Sequence, residues 1–446
     1  MKKINFMIIL KAVVIGALIL LMLIPLALVS NTIKGRLEYK NEATAKITKA
    51  WGDQILIAAP ILNLPYTVAV KDKDEKIVSY KTEYAKFAPQ DLNVDVNIIS
   101  QTRYIGIFEV PVFVAEITMK GNFENIRDIA NFKTAESFIS LEINDLKGIS
   151  TPEFLWNGKN ANFEPSVKAS PLAVRIPYTR EYSPKSSYTR YNDYEETQIL
   201  KSLSSKISLK NGSNNFEIKF SIKGSQAISF IPLAKDNNFR IRSQWTNPNF
   251  SGNFLPDTKE INGEGFDASW RINYLASAIP HRLDGANLSS ALFTTSLLIP
   301  VDSYRAAERA TKYGILFIIL TFIACFVFET TRKKSIHPFQ YLLVGFAMSV
   351  FYILLLSISE FIPFGFAYLI AAAAIISMIT LYAKFAIAKT STLKQTAAIA
   401  GAFAVLYGYL YILLQLQDMA LIFGAIGLFA ALAVMMYATR NINWYK

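Results

Sequence analysis

The last third of the chain contains five apolar runs, each long enough to cross a membrane as a helix. Each run has about 16 to 19 residues, close to the roughly 20 that a helix needs to cross the hydrocarbon core of a bilayer. None alternates apolar and polar residues with a period of two, which argues against the strands of a membrane barrel. Because a helix satisfies its own backbone polar groups, the sequence predicts a five-helix transmembrane domain over residues 311–446. The five runs are Tyr313–Phe328, Tyr341–Ile358, Phe364–Leu381, Ala397–Leu414 and Met419–Tyr437.

A sixth apolar run lies near the N-terminus. It extends from about Ala12 to Val29 and follows Lys2 and Lys3. A cleaved signal peptide has a shorter apolar core and a small-residue cleavage site, whereas this run has about 18 residues and Ala27–Ser30 is a poor cleavage site. We therefore expect residues 1–30 to remain as an N-terminal signal-anchor transmembrane helix, which gives six spans in total.

The charges between the predicted spans indicate the orientation of the chain. If the spans alternate in direction, the segments rich in Lys and Arg all fall on one side of the membrane, and the two short loops on the other side carry only Glu360 and Asp418. Positively charged loops stay in the cytoplasm, so both termini are predicted to be cytoplasmic and residues 31–310 to lie outside. The basic residues are Lys2, Lys3, Lys11 (near the cytoplasmic interface), Arg332, Lys333, Lys334, Lys384, Lys389, Lys394, Arg440 and Lys446.

The excess of positive charge belongs to the membrane part of the chain. Residues 31–310 carry 34 Lys or Arg and 31 Asp or Glu, whereas the other 166 residues carry 12 and 3. A nucleic-acid-binding protein needs a basic patch on its soluble domain, so this distribution argues against nucleic acid as a partner. The only cysteine, Cys325, lies in an apolar run, so disulfides are not expected in residues 31–310.

The large segment between the first and second spans has the pattern of a β domain. Leu92–Ile98 and Phe216–Ile222 alternate apolar and polar residues, and turn residues such as Lys210–Ser213 and Asn262–Gly265 separate such runs. No long amphipathic helices alternate with the predicted strands. The sequence therefore predicts a mainly antiparallel β-rich extracytoplasmic domain, a sandwich or a roll, over residues 31–310.

Two stretches of this domain do not follow the strand pattern. Asn31–Trp51 has apolar residues at near-helical spacing, which favours a helix that leaves the membrane. Tyr178–Glu196 is rich in Tyr, Ser, Arg and Pro and has little periodicity, which indicates a long loop or linker.

Motifs of catalytic or metal chemistry are missing from the sequence. The two histidines, His281 and His337, lie in no HExxH or paired motif, and no GxSxG segment accompanies either. A zinc site would need carboxylates around one of them, and the prediction for both is a surface or interface role. We expect no catalytic residues, no metal and no cofactor.

Glu360 is the candidate functional residue within the membrane part. It lies at the junction of the third and fourth spans, where it is either an exposed loop carboxylate or part of a proton or ion site. Glu329, at the end of the second span, is expected to pair with the neighbouring basic segment Arg332–Lys334. Tyr407, Tyr409 and Tyr411 lie towards the outer end of the fifth span and are predicted to form an interfacial aromatic belt.

Eight motifs spread over nearly the whole chain are distinctive when taken together: Tyr104–Phe113, Ser251–Pro256, Gly265–Trp270, Val301–Tyr304, Arg309–Ile318, Leu354–Glu360, Ala367–Ala373 and Leu406–Asp418. They resemble the motifs of the CreD family of bacterial inner-membrane proteins. The resemblance implies an inner (plasma) membrane location with residues 31–310 in the periplasm, a link to cell-envelope integrity and, in relatives, a link to a two-component regulon. No catalytic residues are established for the family, so none is carried over.

Three functions are compatible with these patterns. The first is a non-enzymatic envelope protein whose β domain binds a protein or cell-wall partner. The second is a transporter or lipid-handling protein that uses the helix bundle, although the interrupted helices typical of transporters are missing. The third, a hydrolase within the β domain, has no recognisable catalytic constellation.

The predicted topology can be checked with reporter fusions. A reporter that is active only outside the cytoplasm should be active when fused after residue 120 or 230, because both positions lie in the extracytoplasmic domain. The same reporter should be inactive after Lys334, Lys389 and Lys446, which follow positively charged segments. An active reporter at Lys389 would contradict this topology.

Overall fold

The computed structural model of the protein describes residues 6–72, 74, 76–124, 134–166, 172–177, 195–283, 288–298, 303–332, 336–387, 393–416 and 419–440. The chain forms two compact units. Met1–Lys40 and Val301–Lys446 form the membrane unit, and Asn41–Pro300 form the β unit. Most of the predicted linker, residues 178–194, lies outside the described residues, as do Lys2, Lys3, Lys333, Lys334, Lys389, Asp418 and Lys446.

Long helices account for most of the described membrane unit. Five helical segments are long and apolar enough to cross a membrane: Val13–Trp51, Ser303–Phe326, Pro338–Ser359, Phe364–Phe385 and Thr396–Gln415. The sixth predicted span coincides with a further helix of 20 residues, α8. The helices of the described chain are α1 (Phe6–Leu21), α2 (Leu23–Trp51), α3 (Tyr274–Ser277, in the β unit), α4 (Ser303–Arg332), α5 (Pro338–Ser359), α6 (Phe364–Tyr382), α7 (Leu393–Gln415) and α8 (Ala420–Thr439).

Proline explains the short interruption between the first two helices. Helices α1 and α2 are separated only by Met22, and Pro25 follows within one turn. Pro25 has no backbone N–H to donate to the carbonyl of Leu21, so the regular hydrogen-bond ladder fails there. The helix nevertheless resumes and continues to Trp51, so the predicted helix over Asn31–Trp51 is present.

Glycines on the later helices make room for the N-terminal helices. A Cβ atom on Gly345 of α5 would lie 2.6 Å from the Met22 sulfur, and one on Gly314 of α4 would lie 2.9 Å from a methyl group of Leu26. Met22 is fully buried, and Leu26 is almost so. Close approach at small residues is the usual way in which helices pack in a bilayer, so this N-terminal segment is an integral part of the membrane unit.

The β unit is built from nineteen described strands. They are β1 (Ile55–Ala58), β2 (Ile61–Lys71), β3 (Ile77–Phe87), β4 (Asp91–Ile105), β5 (Phe108–Phe123), β6 (Phe138–Ile143), β7 (Glu153–Trp156), β8 (Lys159–Ala161), β9 (Glu164–Ser166), β10 (Ala173–Pro177), β11 (Glu195–Ile199), β12 (Lys201–Lys206), β13 (Asn214–Ser225), β14 (Ala227–Ile231), β15 (Asp236–Ser243), β16 (Pro248–Gly252), β17 (Thr258–Asn262), β18 (Gly265–Asn273) and β19 (Phe293–Leu297).

The predicted period-two runs lie within these strands. Leu92–Ile98 belongs to β4 and Phe216–Ile222 to β13, and in both the apolar side chains are buried while the alternate side chains are more exposed. The segment Asn262–Gly265 forms the predicted turn between β17 and β18. There the Asn262 side-chain oxygen accepts the backbone N–H groups of Glu264 and Gly265, at 2.9 and 3.1 Å.

The strands form two large sheets and one small one. The first large sheet has nine strands, with the order β16-β19-β14-β1-β6-β12-β9 and β2 and β3 joined through β6. The second has eight strands in the order β17-β18-β15-β4-β5-β13-β7-β8, and β10 pairs with β11 separately. Two ladders of the described sheets are parallel, β1 with β14 and β4 with β15, and the other described ladders are antiparallel. The sheets are therefore mixed, and they are mainly antiparallel, as predicted.

One hydrophobic core contains residues of both large sheets. Phe230 of β14 and Phe293 of β19, from the first sheet, contact Phe239 of β15, from the second, with ring centroids 5.4 and 5.0 Å apart. Trp270 of β18 also lies against Phe293, at 4.9 Å. These four aromatic side chains are almost completely buried, and large rings of this kind contribute strongly to the stability of a core.

Adding a side chain at Gly345 should destabilise the membrane unit. Gly345→Leu would displace Met22 from its place against α5, and overpacking of this kind costs about 1–3 kcal/mol. Thermal unfolding of the purified protein in nanodiscs should show a lower midpoint for this variant. Gly401→Leu is the matched control, because a Cβ atom there meets open space. Equal midpoints for the two variants would contradict the packing described above.

Candidate functional site

Glu360 is the first residue after helix α5, and its side chain is mostly buried. Only 8% of the side chain is exposed. One carboxylate oxygen accepts a hydrogen bond from the Tyr304 hydroxyl at 3.1 Å and lies 3.5 Å from the Arg36 Nε atom. Three helices of the membrane unit, α2, α4 and α5, therefore meet at this carboxylate.

The neighbours of Glu360 are cations and an aromatic ring. Tyr304 is 8% exposed, and the Lys40 ammonium lies 5.8 Å from the centre of its ring. The Arg36 side chain is about half exposed, so its pairing with Glu360 is open to water on one side. A paired carboxylate of this kind positions helices; its use in carrying protons or ions stays a prediction.

Glu329 of α4 is a second buried carboxylate of the membrane unit. The Lys11 ammonium of α1 pairs with one of its oxygens, which also accepts the backbone N–H of Ile336 at 3.1 Å. The other oxygen accepts the Tyr341 hydroxyl of α5 at 3.1 Å. Glu329 is 5% exposed, and both of its oxygens are satisfied, as a buried charge requires.

The structure gives Glu329 a partner that the sequence analysis did not name. The expected partners, Arg332–Lys334, have side chains outside the described part of the chain, and among the described residues Glu329 pairs with Lys11. Two charges so far apart in sequence cannot be matched by local spacing. The available signal was the position of Lys11 beside an apolar run, because a Lys at the edge of an apolar segment is stabilised by a carboxylate nearby.

The tyrosines of α7 do not form the predicted belt. Tyr407 is 4% exposed, its carbonyl accepts the Tyr368 hydroxyl at 2.6 Å, and its ring lies 4.8 Å from that of Phe351. Tyr411 lies against Tyr368 at 5.1 Å, whereas Tyr409 donates its hydroxyl to the carbonyl of Phe423. Residues four apart share a helix face and residues two apart do not, so Tyr407 and Tyr411 point together into the unit.

The two histidines have structural roles where they are described. His337 precedes α5, and its Nδ1 accepts the N–H of Phe339 at 3.2 Å, as in a helix cap. The His281 ring lies 5.9 Å from Phe87; burial, followed by the charge of Lys235, lowers the pKa of His281. Within the described ranges no three His, Cys, Asp or Glu side chains are grouped as metal ligands would be.

The β unit also buries one carboxylate. Glu142 of β6 is 1% exposed and hydrogen-bonds to the hydroxyls of Ser140 and Ser202. Burial raises its pKa more than these bonds and the charge of Lys86 lower it. Because burial favours the neutral form, Glu142 serves as a hydrogen-bonding group inside the sheet.

The exposed face of the eight-stranded sheet carries a shallow groove of about 370 Å³. Eight polar side chains line the groove and come from strands β4, β5, β15 and β18: Asn93, Asp95, Thr118, Lys120, Asn238, Arg240, Ser269 and Arg271. They share a face because alternate residues of each strand point the same way.

Ion pairs hold several side chains of this face in place. The Arg240 guanidinium contacts both oxygens of Asp267 at 2.6 to 3.1 Å, which raises the pKa of Arg240. Arg242 donates to Asp95 at 2.6 Å. Bidentate and charge-assisted bonds fix the direction of the guanidinium groups, so the face presents ordered donors and acceptors.

A family model and a curated relative that match this chain carry the same description. Residues 7–445 match the family described as "Inner membrane protein CreD". A relative with that same description, from Escherichia coli, is 31% identical over 444 residues, covering 96% of this chain and 91% of the relative.

Two structures of a yeast enzyme are among the solved structures to which the chain is similar. Native leukotriene A4 hydrolase from Saccharomyces cerevisiae has a TM-score of 0.24 and 10% identity, covering 52% of this chain and 35% of the hydrolase. The yeast enzyme in complex with bestatin has a TM-score of 0.22 and 7% identity, with 53% and 34% covered. Scores this low carry no argument about fold or activity.

The ion pair of Lys11 and Glu329 can be tested by a double-mutant cycle. Lys11→Met should lower the thermal unfolding midpoint, because it leaves the buried Glu329 carboxylate without its charged partner, at a cost of about 3–5 kcal/mol. Glu329→Met should lower the midpoint less, because the Lys11 side chain is one-third exposed and its ammonium can reach water. The double variant should recover most of the loss, since neither charge remains. Additive losses in the double variant would show that the two side chains act independently.

Proposed function

Because the chain belongs to the CreD family of inner membrane proteins, we propose that it supports cell-envelope integrity without enzymatic activity, by binding an envelope partner through its β unit. In this proposal the protein is a multi-pass protein of the bacterial inner membrane. Both termini lie in the cytoplasm and residues 31–310 lie in the periplasm. The distribution of Lys and Arg supports this orientation.

The groove on the eight-stranded sheet is the observation that carries the proposal. Its ordered charged and amide side chains lie on a continuous sheet face, where they can form many directional hydrogen bonds with a polar partner. The partner is an envelope protein or a cell-wall polymer, since both present hydroxyl, amide and charged groups. Two side chains of the groove, Arg240 and Asp95, are already held by ion pairs with Asp267 and Arg242, so binding costs little loss of side-chain entropy.

In the described part of the β unit, acidic and imidazole side chains that a hydrolase could use are engaged in other contacts. Asp95 in the groove lining, and Asp267 of the same sheet, pair with guanidinium groups rather than with a nucleophile or a general base. Glu142 is enclosed in its sheet, and His281 lies against Phe87. A binding surface therefore accounts for these contacts better than a hydrolytic site does.

Crosslinking in living cells tests the proposal. A photoreactive amino acid at Asn238, inside the groove, should capture an envelope protein or cell-wall material, whereas the same group at Leu255, exposed elsewhere in the β unit, should not. Lys120→Ala with Arg271→Ala should abolish the capture and the envelope function. Lys259→Ala, an exposed lysine of the same sheet outside the groove, should preserve both.

The outcome at Asn238 decides the proposal. Capture that survives Lys120→Ala with Arg271→Ala, or capture that is equal at Leu255, would overturn the groove as the binding site. Accumulation and thermal unfolding of each variant must match the parent protein, which separates lost binding from lost folding.

A second candidate function, transport or lipid handling by the helix bundle, draws on the buried carboxylates Glu329 and Glu360. Both are paired in the described structure, which favours a structural role. Glu360→Gln retains an acceptor for Tyr304 and should leave envelope function almost unchanged. A Glu360→Gln protein that accumulates normally and has lost its function would favour proton or ion movement over partner binding.

A further inference from the structure

Strands β4 and β5 extend beyond the sheet as a two-stranded ribbon. β15 pairs with β4 only as far as Ile98, and β13 pairs with β5 only as far as Val112. Beyond these residues the two strands pair with each other up to Ile105 and Phe108. Gly106 and Ile107 form the turn, and the positive φ of Gly106, 59°, suits a tight reversal.

The end of this ribbon is apolar and exposed on both faces. The segment Tyr104–Phe108, here the β4–β5 tip, contains no charged residue. Tyr104 is 62% exposed, Ile107 39% and Ile105 36%. A two-stranded ribbon is only marginally stable by itself, and a contiguous apolar end in water marks a surface that another apolar phase covers.

Cations surround an indole at the base of the ribbon. The Arg103 guanidinium lies 4.6 Å from the centre of the Trp51 ring, and the Lys223 ammonium lies 4.8 Å from it. Glu109 is the acidic neighbour of the tip. In the ladder of β4 and β5, Glu109 lies opposite Tyr104, and Arg103 lies opposite Val110. Because successive residues of a strand alternate between its faces, Glu109 and Arg103 point to opposite faces of the ribbon.

This combination has the chemistry of a bilayer interface. Tyrosine and tryptophan concentrate at the boundary between headgroups and hydrocarbon, and Lys and Arg are attracted to anionic headgroups. Ile105, Ile107 and Phe108 provide the apolar part that enters the boundary. The ribbon packs on the end of α2 that belongs to the β unit, through Val110, Val112 and Ile47.

We propose that the β4–β5 tip inserts into the interfacial layer of a lipid bilayer that contains anionic phospholipids. The apolar side chains of the tip lie below the headgroups, and Arg103 and Lys223 contact headgroup phosphates. The family is one of inner membrane proteins, so a bilayer is available to the tip. The proposal concerns lipid as the partner and does not depend on what the groove binds.

The β2–β3 hairpin is a natural control within the same unit. It also exposes apolar side chains, among them Val78 and Tyr80, at 66% and 70%. In the sequence, however, all six residues Lys71–Lys76, from the end of β2 to the start of β3, are charged. Moving such a turn below the headgroups would desolvate every one of these charges, so this hairpin end should stay in water.

Depth-dependent quenching in the full-length protein tests the insertion. In a Cys325→Ala background, Ile107→Cys would carry an environment-sensitive fluorophore, and the protein would be reconstituted into vesicles of phosphatidylcholine and phosphatidylglycerol. Nitroxide groups attached near the lipid headgroups should quench this label strongly. The same label at Asp74→Cys, in the turn of the β2–β3 hairpin, should not be quenched and should remain accessible to iodide in the buffer.

Charge substitutions separate the electrostatic part of the contact. Arg103→Gln should weaken the quenching at position 107 in vesicles with phosphatidylglycerol and have less effect in vesicles of phosphatidylcholine alone. Arg103→Lys should restore it, because headgroup attraction needs only the positive charge. Equal quenching for Arg103→Gln and its parent in both kinds of vesicle would contradict the proposed contact between Arg103 and the headgroup phosphates.

Nanodiscs with one protein copy distinguish lipid from a second copy of the chain. Lipid quenching at position 107 that persists in single-copy nanodiscs supports insertion. Protection of the label from iodide without lipid quenching, or protection that disappears in single-copy nanodiscs, would overturn it in favour of a protein contact. A label as exposed at position 107 as at position 74 would also overturn it. Thermal unfolding of each labelled protein shows whether the fold is retained.

Discussion

The pairing of Lys11 with Glu329 is the interaction on which the membrane unit depends most. A lone ammonium or carboxylate inside apolar surroundings is strongly unfavourable, and only a partner and further hydrogen bonds offset that cost. Glu329 satisfies this condition with Lys11, Tyr341 and the backbone of Ile336, which ties α1 to α4 and α5. The contact joins two parts of the sequence that the whole β unit separates. The membrane unit is therefore built from the N-terminal helices together with the five C-terminal helices.

Steric fit and charge pairing act on the same helices. Met22 and Leu26 occupy space that Gly345 and Gly314 leave open, and Arg36 reaches Glu360 further along the same N-terminal segment. In hydrocarbon there is little hydrophobic drive for helices to associate, so close packing at small residues and polar contacts must supply it. In the β unit, by contrast, the hydrophobic effect is the main driving force. Its core is formed by apolar side chains, among them Phe230, Phe239 and Trp270, that are removed from water on folding.

Local patterns made part of this architecture predictable. Apolar length identified the helices, and period-two alternation located β4 and β13, because both signals depend only on neighbouring residues. The parallel pairing of Ile55 with Ile228, and the contact of Lys11 with Glu329, depend on which distant segments meet, and periodicity contains no such information. The belt predicted from Tyr407 failed for a related reason: an aromatic residue near a span end can face lipid or a neighbouring helix, and the pattern is the same for both. Glu360 was identified as notable, whereas its contacts with Tyr304 and Arg36 could come only from the assembled helices.

The discontinuous membrane unit has a consequence for the order of biosynthesis. Lys11 leaves the ribosome roughly 300 residues before Glu329, an interval on the order of tens of seconds at typical elongation rates. In the proposed topology the first helix occupies the bilayer during that interval, before Glu329 is available to Lys11 and before Gly345 and Gly314 are available to Met22 and Leu26. The N-terminal helix must therefore be stable in the membrane without its helix partners. The Lys11 side chain can extend so that its ammonium reaches the water interface. The helix packs into the membrane unit only after the later helices have been synthesised.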